Sequence, residues 1–249
     1  MNKSLGQNFL IDENIAKKEI EYANLTDEDI VLEIGPGKGI LTNLIAKKAK
    51  KVIAIEIDSG LYKNLKAKIP KNVQLINEDI LDIDLNKIKF NKIISNLPYQ
   101  ISSKLTFKIL EKSFDLAVLI YQKEFAQRLV AKKNTKDYSR ITVNFNYKAK
   151  CELLRNVSKN CFYPKPKVDS SIVRIKPRIN PPFLVLNEKF FNNFVKNMFN
   201  HRRKKIKTIL KNKYFIEESI SPQINKRIEN LSPKEIGDLS NEVYKIKNL

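Results

Sequence analysis

Short apolar runs alternate with amphipathic segments through the first half of this chain. Between the runs, apolar residues recur at helical spacing, as in Leu41, Leu44 and Ile45. The runs are rich in Ile, Val and Leu and end in polar residues or glycine, which is typical of buried strands. They cover residues 30–35, 52–58, 73–79, 92–96 and 116–121. This alternation predicts a parallel α/β sheet, in which ligands bind outside the carboxyl ends of the strands.

The remaining segments have weaker patterns. Asp12 can cap a helix whose apolar face includes Ile15 and Ile20. Residues 124–130 predict a helix, and residues 141–147 and 168–175 predict two more strands. These segments extend the predicted sheet toward the second half of the chain.

A proline-rich stretch at residues 176–187 marks a change of character. Beyond it a Phe-rich stripe predicts a helix that continues into a basic run at residues 201–207, and Ser232 begins a capping box. We therefore predict a ligand-binding domain at residues 1–180 and a helical domain at residues 181–249.

The charge balance indicates a polyanionic partner. The 249 residues include 47 Lys and Arg against 27 Asp and Glu, a formal net charge of +20. Neutralising nucleic-acid phosphates releases counterions and favours binding. The basic run, Arg202, Arg203, Lys204 and Lys205, is a candidate RNA contact. The alternative is a Lys-rich solvated surface, which also occurs in thermostable proteins.

Other classes of protein are disfavoured by composition. Two cysteines without metal-site spacing and a single histidine, His201, argue against a disulfide framework, a metal site or a histidine-dependent triad. No apolar run reaches the roughly 20 residues of a membrane span, and the N-terminus lacks a signal-peptide core. We expect a cytoplasmic, monomeric protein without a metal and without a membrane partner.

A glycine-rich turn follows the first predicted strand, and an acidic residue ends the second. The turn contains Gly35, Gly37 and Gly39, and the acid is Glu56, which is placed to accept hydrogen bonds from ribose hydroxyls. A dinucleotide fingerprint would need a third glycine at position 40, where Ile40 stands. The spacing favours S-adenosylmethionine over NAD, and a strand–turn–helix without a ligand is the remaining alternative.

Polar groups follow two further strands. Asp79 could accept the exocyclic amine of a cofactor adenine, although a plain loop carboxylate is the simpler interpretation. After the next strand, the Asn96 amide and the Leu97 carbonyl could accept the two hydrogens of an adenine N6 amine. Pro98 stiffens this turn, and Tyr99 offers a stacking face. An ordinary Asn-x-Pro turn is the alternative interpretation.

An aromatic residue in a later loop has two possible roles. Phe162 lies in a rigid stretch with Pro164 and Pro166. The sequence leaves open whether it anchors the core or stacks on a base.

Taken together, these motifs resemble the small-subunit rRNA adenine N6,N6-dimethyltransferase family. The resemblance covers nearly the whole chain. It rests on the segments 3–10, 33–37, 96–99, 122–124, 136–138, 162–170 and 202–204.

The resemblance implies a class I S-adenosylmethionine-dependent methyltransferase, with a Rossmann-like sheet of seven strands, one antiparallel edge strand and a helical C-terminal domain. Such an enzyme would dimethylate two adjacent adenosines near the 3′ end of small-subunit (16S) rRNA, during ribosome biogenesis. Asn96, Tyr99 and Phe162 fall on the target-base positions. The implied cofactor positions are Gln7, Asn8, Leu10, Gly35, Gly37, Glu56, Ile57, Asp79, Ile80 and Asn96.

Three alternatives remain. A large-subunit rRNA adenine methyltransferase would share the fold and the residues 96–99. A DNA adenine methyltransferase would need a DNA-reading domain that the sequence does not show. A ribosome assembly factor could use the fold without catalysis.

Overall fold

The computed structural model describes residues 7–216 and 221–248. The chain forms two compact units. The first contains the described residues up to Ala126 together with Lys150–Pro177, and the second contains Gln127–Ala149 together with the described residues from Arg178. The last segment of the second unit begins at Arg178, close to the predicted boundary after residue 180. The prediction missed that residues 127–149 belong to the second unit.

The first unit contains a seven-stranded sheet. The strands are β2 (Ile30–Ile34), β3 (Lys51–Ile55), β4 (Val73–Ile76), β5 (Lys92–Asn96), β6 (Leu116–Gln122), β7 (Ala149–Val157) and β9 (Ser170–Pro177). Their order is β4-β3-β2-β5-β6-β9-β7, and the first five are parallel to one another. The antiparallel strand β9 pairs with β6 and lies inside the edge strand β7, so its predicted place at the edge is wrong.

Two very short strands form a separate antiparallel ribbon in the same unit. In this ribbon, β1 (Phe9–Leu10) pairs with β8 (Phe162–Tyr163), with Phe9 opposite Tyr163 and Leu10 opposite Phe162. The ribbon joins the N-terminal segment to the stretch that contains Pro164 and Pro166, although the two are far apart in sequence.

Helices precede, connect or follow the parallel strands. They are α1 (Glu13–Ala23), α2 (Ile40–Ala46), α3 (Ser59–Lys66), α4 (Ser102–Ile109) and α5 (Lys123–Leu129). The predicted cap of α1 is confirmed, because the Asp12 carboxylate accepts the backbone N–H groups of Asn14 and Ile15. Ile15, Ala16 and Ile20 pack into the core. The apolar strand faces are buried between these helices, which leaves the polar strand ends free to form a site.

The second unit is helical. It contains α6 (Arg140–Lys148), α7 (Glu188–Asn200), α8 (Ile206–Tyr214) and α9 (Pro233–Lys247). Phe191, Phe194, Val195 and Met198 form the buried face of α7, as predicted. However, α7 ends at Asn200, so residues 201–205 of the basic run leave the helix, and α8 begins at Ile206. Among the described residues, none of the helices combines the length and apolar character needed to cross a bilayer.

The strand predicted at residues 141–147 is in fact the helix α6. The segment alternates Ile141, Val143 and Phe145 with polar residues, and such alternation is typical of a strand. The helical conformation is favoured because a capping box between Ser139 and Thr142 provides hydrogen-bond partners for backbone N–H groups of the first turn. Val143 and Phe145 are buried from the helical conformation, so tertiary packing overrides the local β propensity.

Candidate active site

A pocket lies at the carboxyl ends of β2, β3, β4 and β5. It is lined by every residue that the sequence and the resemblance assigned to the cofactor, and by the four residues 96–99. The cofactor positions are Gln7, Asn8, Leu10, Gly35, Gly37, Glu56, Ile57, Asp79, Ile80 and Asn96. The structure therefore brings these residues together, whereas Phe162 is not part of the lining. The predicted segment 3–6 of the N-terminal motif lies outside the described residues.

The glycine-rich turn is held against β3 by Glu56. One carboxylate oxygen of Glu56 accepts the N–H of Gly37 at 3.1 Å, and the other accepts the N–H of Asp58 at 2.9 Å. Burial raises the pKa of Glu56, and these hydrogen bonds oppose the shift. Gly37 has a positive φ of 56°, and a Cβ there would lie 2.8 Å from the Phe9 ring. The turn therefore requires glycine at this position, both for its conformation and for its close approach to Phe9.

The N-terminal residues form a strap along the pocket, here defined as residues 7–11. The Gln7 amide donates to Asp58 at 3.3 Å, and the Ile11 N–H donates to the Cys161 carbonyl at 2.9 Å. Between these anchors, β1 pairs with β8. Sequence patterns could not reveal this strap, because its partners are distant in the chain and only the resemblance pointed to it.

The Asn96 side chain has one satisfied and one unsatisfied end. Its nitrogen donates to the Asn8 carbonyl at 3.0 Å, and its buried oxygen has no hydrogen-bond partner. A backbone carbonyl can only accept, so the nitrogen must face Asn8 and the oxygen must face the other way. A buried acceptor without a donor is costly in a finished structure. The arrangement therefore fits a ligand that supplies an N–H at this point.

Pro98 and Tyr99 follow directly and have well-defined surroundings. The ring of Pro98 lies against the glycine turn, 3.9 Å from where a Cβ of Gly35 would be. The Tyr99 hydroxyl is hydrogen-bonded to the Ser170 hydroxyl at 2.7 Å, and burial raises its pKa. Ser170 holds the Tyr99 hydroxyl, and Tyr99 is one of the aromatic residues that line the pocket.

Phe162 is a core anchor. It is only 2% exposed and packs in the core cluster with Leu10, Ile94 and Ile120. Phe162 is also absent from the lining of the pocket. The base-stacking role that the resemblance implied is not tested by this arrangement and stays a prediction. Its burial fits the first of the two roles that the sequence left open, that of a core anchor.

Asp79 and its neighbours complete the far side of the pocket. The Asp79 carboxylate accepts the Leu81 N–H at 2.8 Å, which shapes the turn after β4. The Asn77 amide donates to the Glu56 carbonyl at 2.7 Å and ties this turn to the end of β3. Asp79 lines the pocket with acceptor capacity remaining, as a carboxylate can accept several hydrogen bonds.

Two carboxyl groups of the first unit are buried, and the sequence patterns assigned neither of them a role. Glu33 is 1% exposed and lines the pocket, while Glu19 on α1 is fully buried. Burial raises the pKa of Glu33 to about 8, and the charge of Glu56 adds to the shift. Burial and the charge of Glu33 raise the pKa of Glu19 well above its usual range. At neutral pH the Glu33 carboxyl is therefore mostly protonated in the folded protein.

This burial predicts a pH-dependent stability. The folded protein holds the Glu33 proton up to pH 8, whereas the unfolded chain releases it near 4.5. Stability therefore falls as pH rises through this window, by up to about 1.4 kcal/mol per pH unit. In Glu33→Gln, the slope of unfolding free energy against pH, measured by urea denaturation, should be shallower. The exposed Glu28→Gln variant should keep the full slope, and equal slopes in all three proteins would contradict the assignment.

The four predicted RNA contacts lie in the second unit and differ in their surroundings. Arg202 donates to the Lys136 carbonyl at 2.9 Å and the Thr135 carbonyl at 2.8 Å, and its Nε pairs with Glu229. These contacts give Arg202 a structural role, and its role as an RNA contact stays a prediction. Arg203, Lys204 and Lys205 are exposed, and they remain candidates.

The strand order, the glycine-rich turn and the site at the strand ends define a Rossmann-like methyltransferase. The sequence profile described as "Ribosomal RNA adenine dimethylase" matches residues 1–245. The chain belongs to this family of rRNA adenine dimethylases.

Similar proteins agree with this placement. The "Probable ribosomal RNA small subunit methyltransferase A" of Methanococcus aeolicus is 44% identical over 268 residues, which cover 99% of this chain and 98% of the relative. The protein of the same name from Methanococcus maripaludis strain C7 is 45% identical, covering 98% of each chain. A crystal structure of a dimethyladenosine transferase from Plasmodium falciparum has a TM-score of 0.78 at 29% identity, covering 97% of this chain and 98% of that one. A 23S rRNA methyltransferase has a TM-score of 0.73 at 28% identity, covering 95% and 100%.

Proposed function

We propose that this chain transfers methyl groups from S-adenosylmethionine to N6 of two adjacent adenosines near the 3′ end of small-subunit rRNA, during ribosome biogenesis. The observation that carries the proposal is the buried, unpartnered oxygen of Asn96 at the edge of a pocket built from four strand ends. Relatives named as small-subunit methyltransferases, similar over almost their whole length, support the choice of RNA.

The pocket residues suit an adenosine-type cofactor. Glu56 and Asp79 retain carboxylate lone pairs for hydroxyl and amine donors, and the left-handed turn at Gly37 brings backbone close to the pocket. When bound, S-adenosylmethionine supplies an electrophilic methyl group on a sulfonium. The strap would cover it and exclude water, because Gln7 and Asn8 line the pocket.

Residues 96–99 would hold the target adenine. The N6 lone pair is delocalised into the purine ring, so the amine is a poor nucleophile. The Asn96 oxygen and the Leu97 carbonyl would each accept one N6 hydrogen, which favours tetrahedral geometry and frees the lone pair. Positioning of this kind can contribute about 7–11 kcal/mol. The proton leaves the nitrogen after transfer, to water, so no histidine base is needed.

The adenine must leave its stack to reach the pocket. Tyr99 replaces a stacking neighbour, at roughly 1–3 kcal/mol per base. Its ring is positioned by the hydrogen bond to Ser170. A second methylation requires that the same site accept the monomethylated product.

Exposed cations of the second unit are proposed to bind the RNA backbone. Changing Arg203 and Lys204 to alanine should weaken RNA binding and make its salt dependence shallower, by about one unit of slope per lost phosphate contact. Binding measured by fluorescence anisotropy over a range of salt concentrations tests this expectation.

Arg202→Ala, measured in the same way, shows how much of a loss in RNA binding comes from lost stability. It should lower the unfolding free energy by about 1.5–3 kcal/mol, because charged hydrogen bonds to the Thr135 and Lys136 carbonyls are lost. An unchanged salt slope of RNA binding in the double variant would show that Arg203 and Lys204 belong to a solvated surface and do not contact phosphates.

A substrate panel tests the proposed function. Labelled S-adenosylmethionine is offered with undermethylated small subunits, large-subunit RNA and duplex DNA. We expect label in the small-subunit RNA alone. Label in large-subunit RNA would favour the activity of the structurally similar 23S rRNA methyltransferase, and label in DNA or in none of the three would reject the proposal.

A further inference from the structure

Tyr163 is the exposed aromatic residue of the ribbon. It is 57% exposed, whereas its neighbour Phe162 is 2% exposed. Successive side chains of a strand point to opposite sides, so the burial of Phe162 directs Tyr163 outward. Tyr163 is opposite Phe9 in the ribbon, and Phe9 lines the pocket. An exposed ring therefore stands directly beside the pocket wall.

Lys38 holds this ring in a defined arrangement. Its ammonium nitrogen is 5.6 Å from the centroid of the Phe9 ring and 5.9 Å from that of the Tyr163 ring. A cation at these distances is attracted to both aromatic faces. The Phe9 ring is itself packed tightly against the glycine turn at Gly37. Tyr163 and Lys38 thus form a preorganised platform of one exposed ring and one cation.

The platform is connected to the proposed reaction site through the backbone of the strap. The Asn8 carbonyl accepts the hydrogen bond of the Asn96 amide, and the next residue, Phe9, pairs with Tyr163. Lys38 lines the pocket, but Tyr163 does not. The free face of Tyr163 is therefore available to a molecule outside the pocket, such as the nucleic acid that delivers the target base.

We propose that Tyr163 and Lys38 bind the nucleotide next to the target adenosine, with the base stacked on Tyr163 and its phosphate paired with Lys38. This inference rests on the proposed function. Extruding one base leaves its neighbours with an open stacking face, and single-stranded RNA is commonly bound by aromatic rings together with cations. The platform would keep the target strand unstacked beside Asn96.

Three variants separate stacking from charge. Tyr163→Leu keeps apolar bulk but removes the ring, Tyr163→Phe keeps the ring, and Lys38→Gln removes the charge. The matched controls are Tyr62→Leu and Lys66→Gln, a Lys–Tyr pair on α3 in the same unit with a separation of 5.3 Å. Neither control residue lines the pocket.

RNA dissociation constants are measured by anisotropy with a short single-stranded RNA containing the two adjacent adenosines, and cofactor dissociation constants by calorimetry. Tyr163→Leu should weaken RNA binding about tenfold, as expected for one lost stacking partner, and Tyr163→Phe should not. Lys38→Gln should reduce the salt slope by about one unit. Cofactor binding by Tyr163→Leu and both control variants should match the wild type.

Several results would overturn the platform. These are unchanged RNA binding in Tyr163→Leu, an equal loss in Tyr62→Leu, or a loss of cofactor binding by Tyr163→Leu that matches the loss of RNA binding. Because binding is read directly, a wild-type protein that binds this RNA but transfers no methyl group to undermethylated small subunits rejects the proposed function and leaves the platform comparison valid.

Discussion

Asn96→Ala is expected to reduce methyl transfer by about 10²–10³-fold, the usual effect of removing one polar group that acts on the reacting atoms. The alanine has no oxygen to accept an N6 hydrogen, so the amine lone pair stays in the purine ring. The variant also loses the hydrogen bond to the Asn8 carbonyl, but the strap keeps its other anchors at Asp58 and Cys161. Cofactor affinity should therefore be largely retained.

Single-turnover transfer and cofactor calorimetry together test this expectation. The control is Asn86→Ala, which removes an exposed amide of the same unit from a residue that does not line the pocket. It should transfer at the wild-type rate. Equal rates in Asn96→Ala and the wild type would refute the adenine clamp. A large loss of cofactor binding in Asn96→Ala would move this residue from the target base to the cofactor.

Glu56→Ala is expected to have the opposite profile, with a loss of cofactor affinity. Two proposed hydroxyl hydrogen bonds to a carboxylate contribute about 1.5–3 kcal/mol each, so the dissociation constant should rise by at least about 100-fold. The same change removes the acceptors of the Gly37 and Asp58 N–H groups, which loosens the glycine turn. Both effects weaken the same pocket.

Calorimetric titration with S-adenosylmethionine measures this loss, with Glu28→Gln as a control that removes an exposed carboxylate of the same unit. Glu56→Gln should also bind weakly, because its amide nitrogen would meet a backbone N–H where an oxygen now accepts. Unchanged cofactor affinity in Glu56→Ala would contradict the assignment of Glu56.

The positions of the main site residues could be predicted from sequence because strand ends in a parallel sheet converge. Gly35, Glu56, Asp79 and Asn96 each follow an apolar run, and the structure places all four on one pocket. Local patterns suffice for such residues, since each strand is recognisable on its own and the topology brings the ends together.

Features that depend on distant contacts could not be predicted in this way. The residues 141–147 have a strand-like alternation, yet the capping box at Ser139 and burial against the second unit's core make them helical. Phe162 and Tyr163 are neighbouring aromatic residues that the sequence does not distinguish. Only the pairing of β8 with β1 decides which of the two side chains faces solvent. Arg202 looks like its basic neighbours until its carbonyl partners are known.

The buried carboxyl groups were missed for a similar reason. Glu33 was noted only within the segment 33–37, and Glu19 received no interpretation. An acidic residue on an amphipathic helix normally faces solvent. Here α1 turns Glu19 into the core, and this is visible only from its burial.

The most direct test of the central claim is the identity and position of the modified nucleosides. Undermethylated small subunits are incubated with the protein and S-adenosylmethionine, and the rRNA is digested and analysed by mass spectrometry. We predict N6,N6-dimethyladenosine at two adjacent positions near the 3′ end after incubation with the wild-type protein, and loss of this nucleoside with Asn96→Ala. Unmodified adenosines there after incubation with the wild-type protein, or methyl groups on a different base, would contradict the central claim.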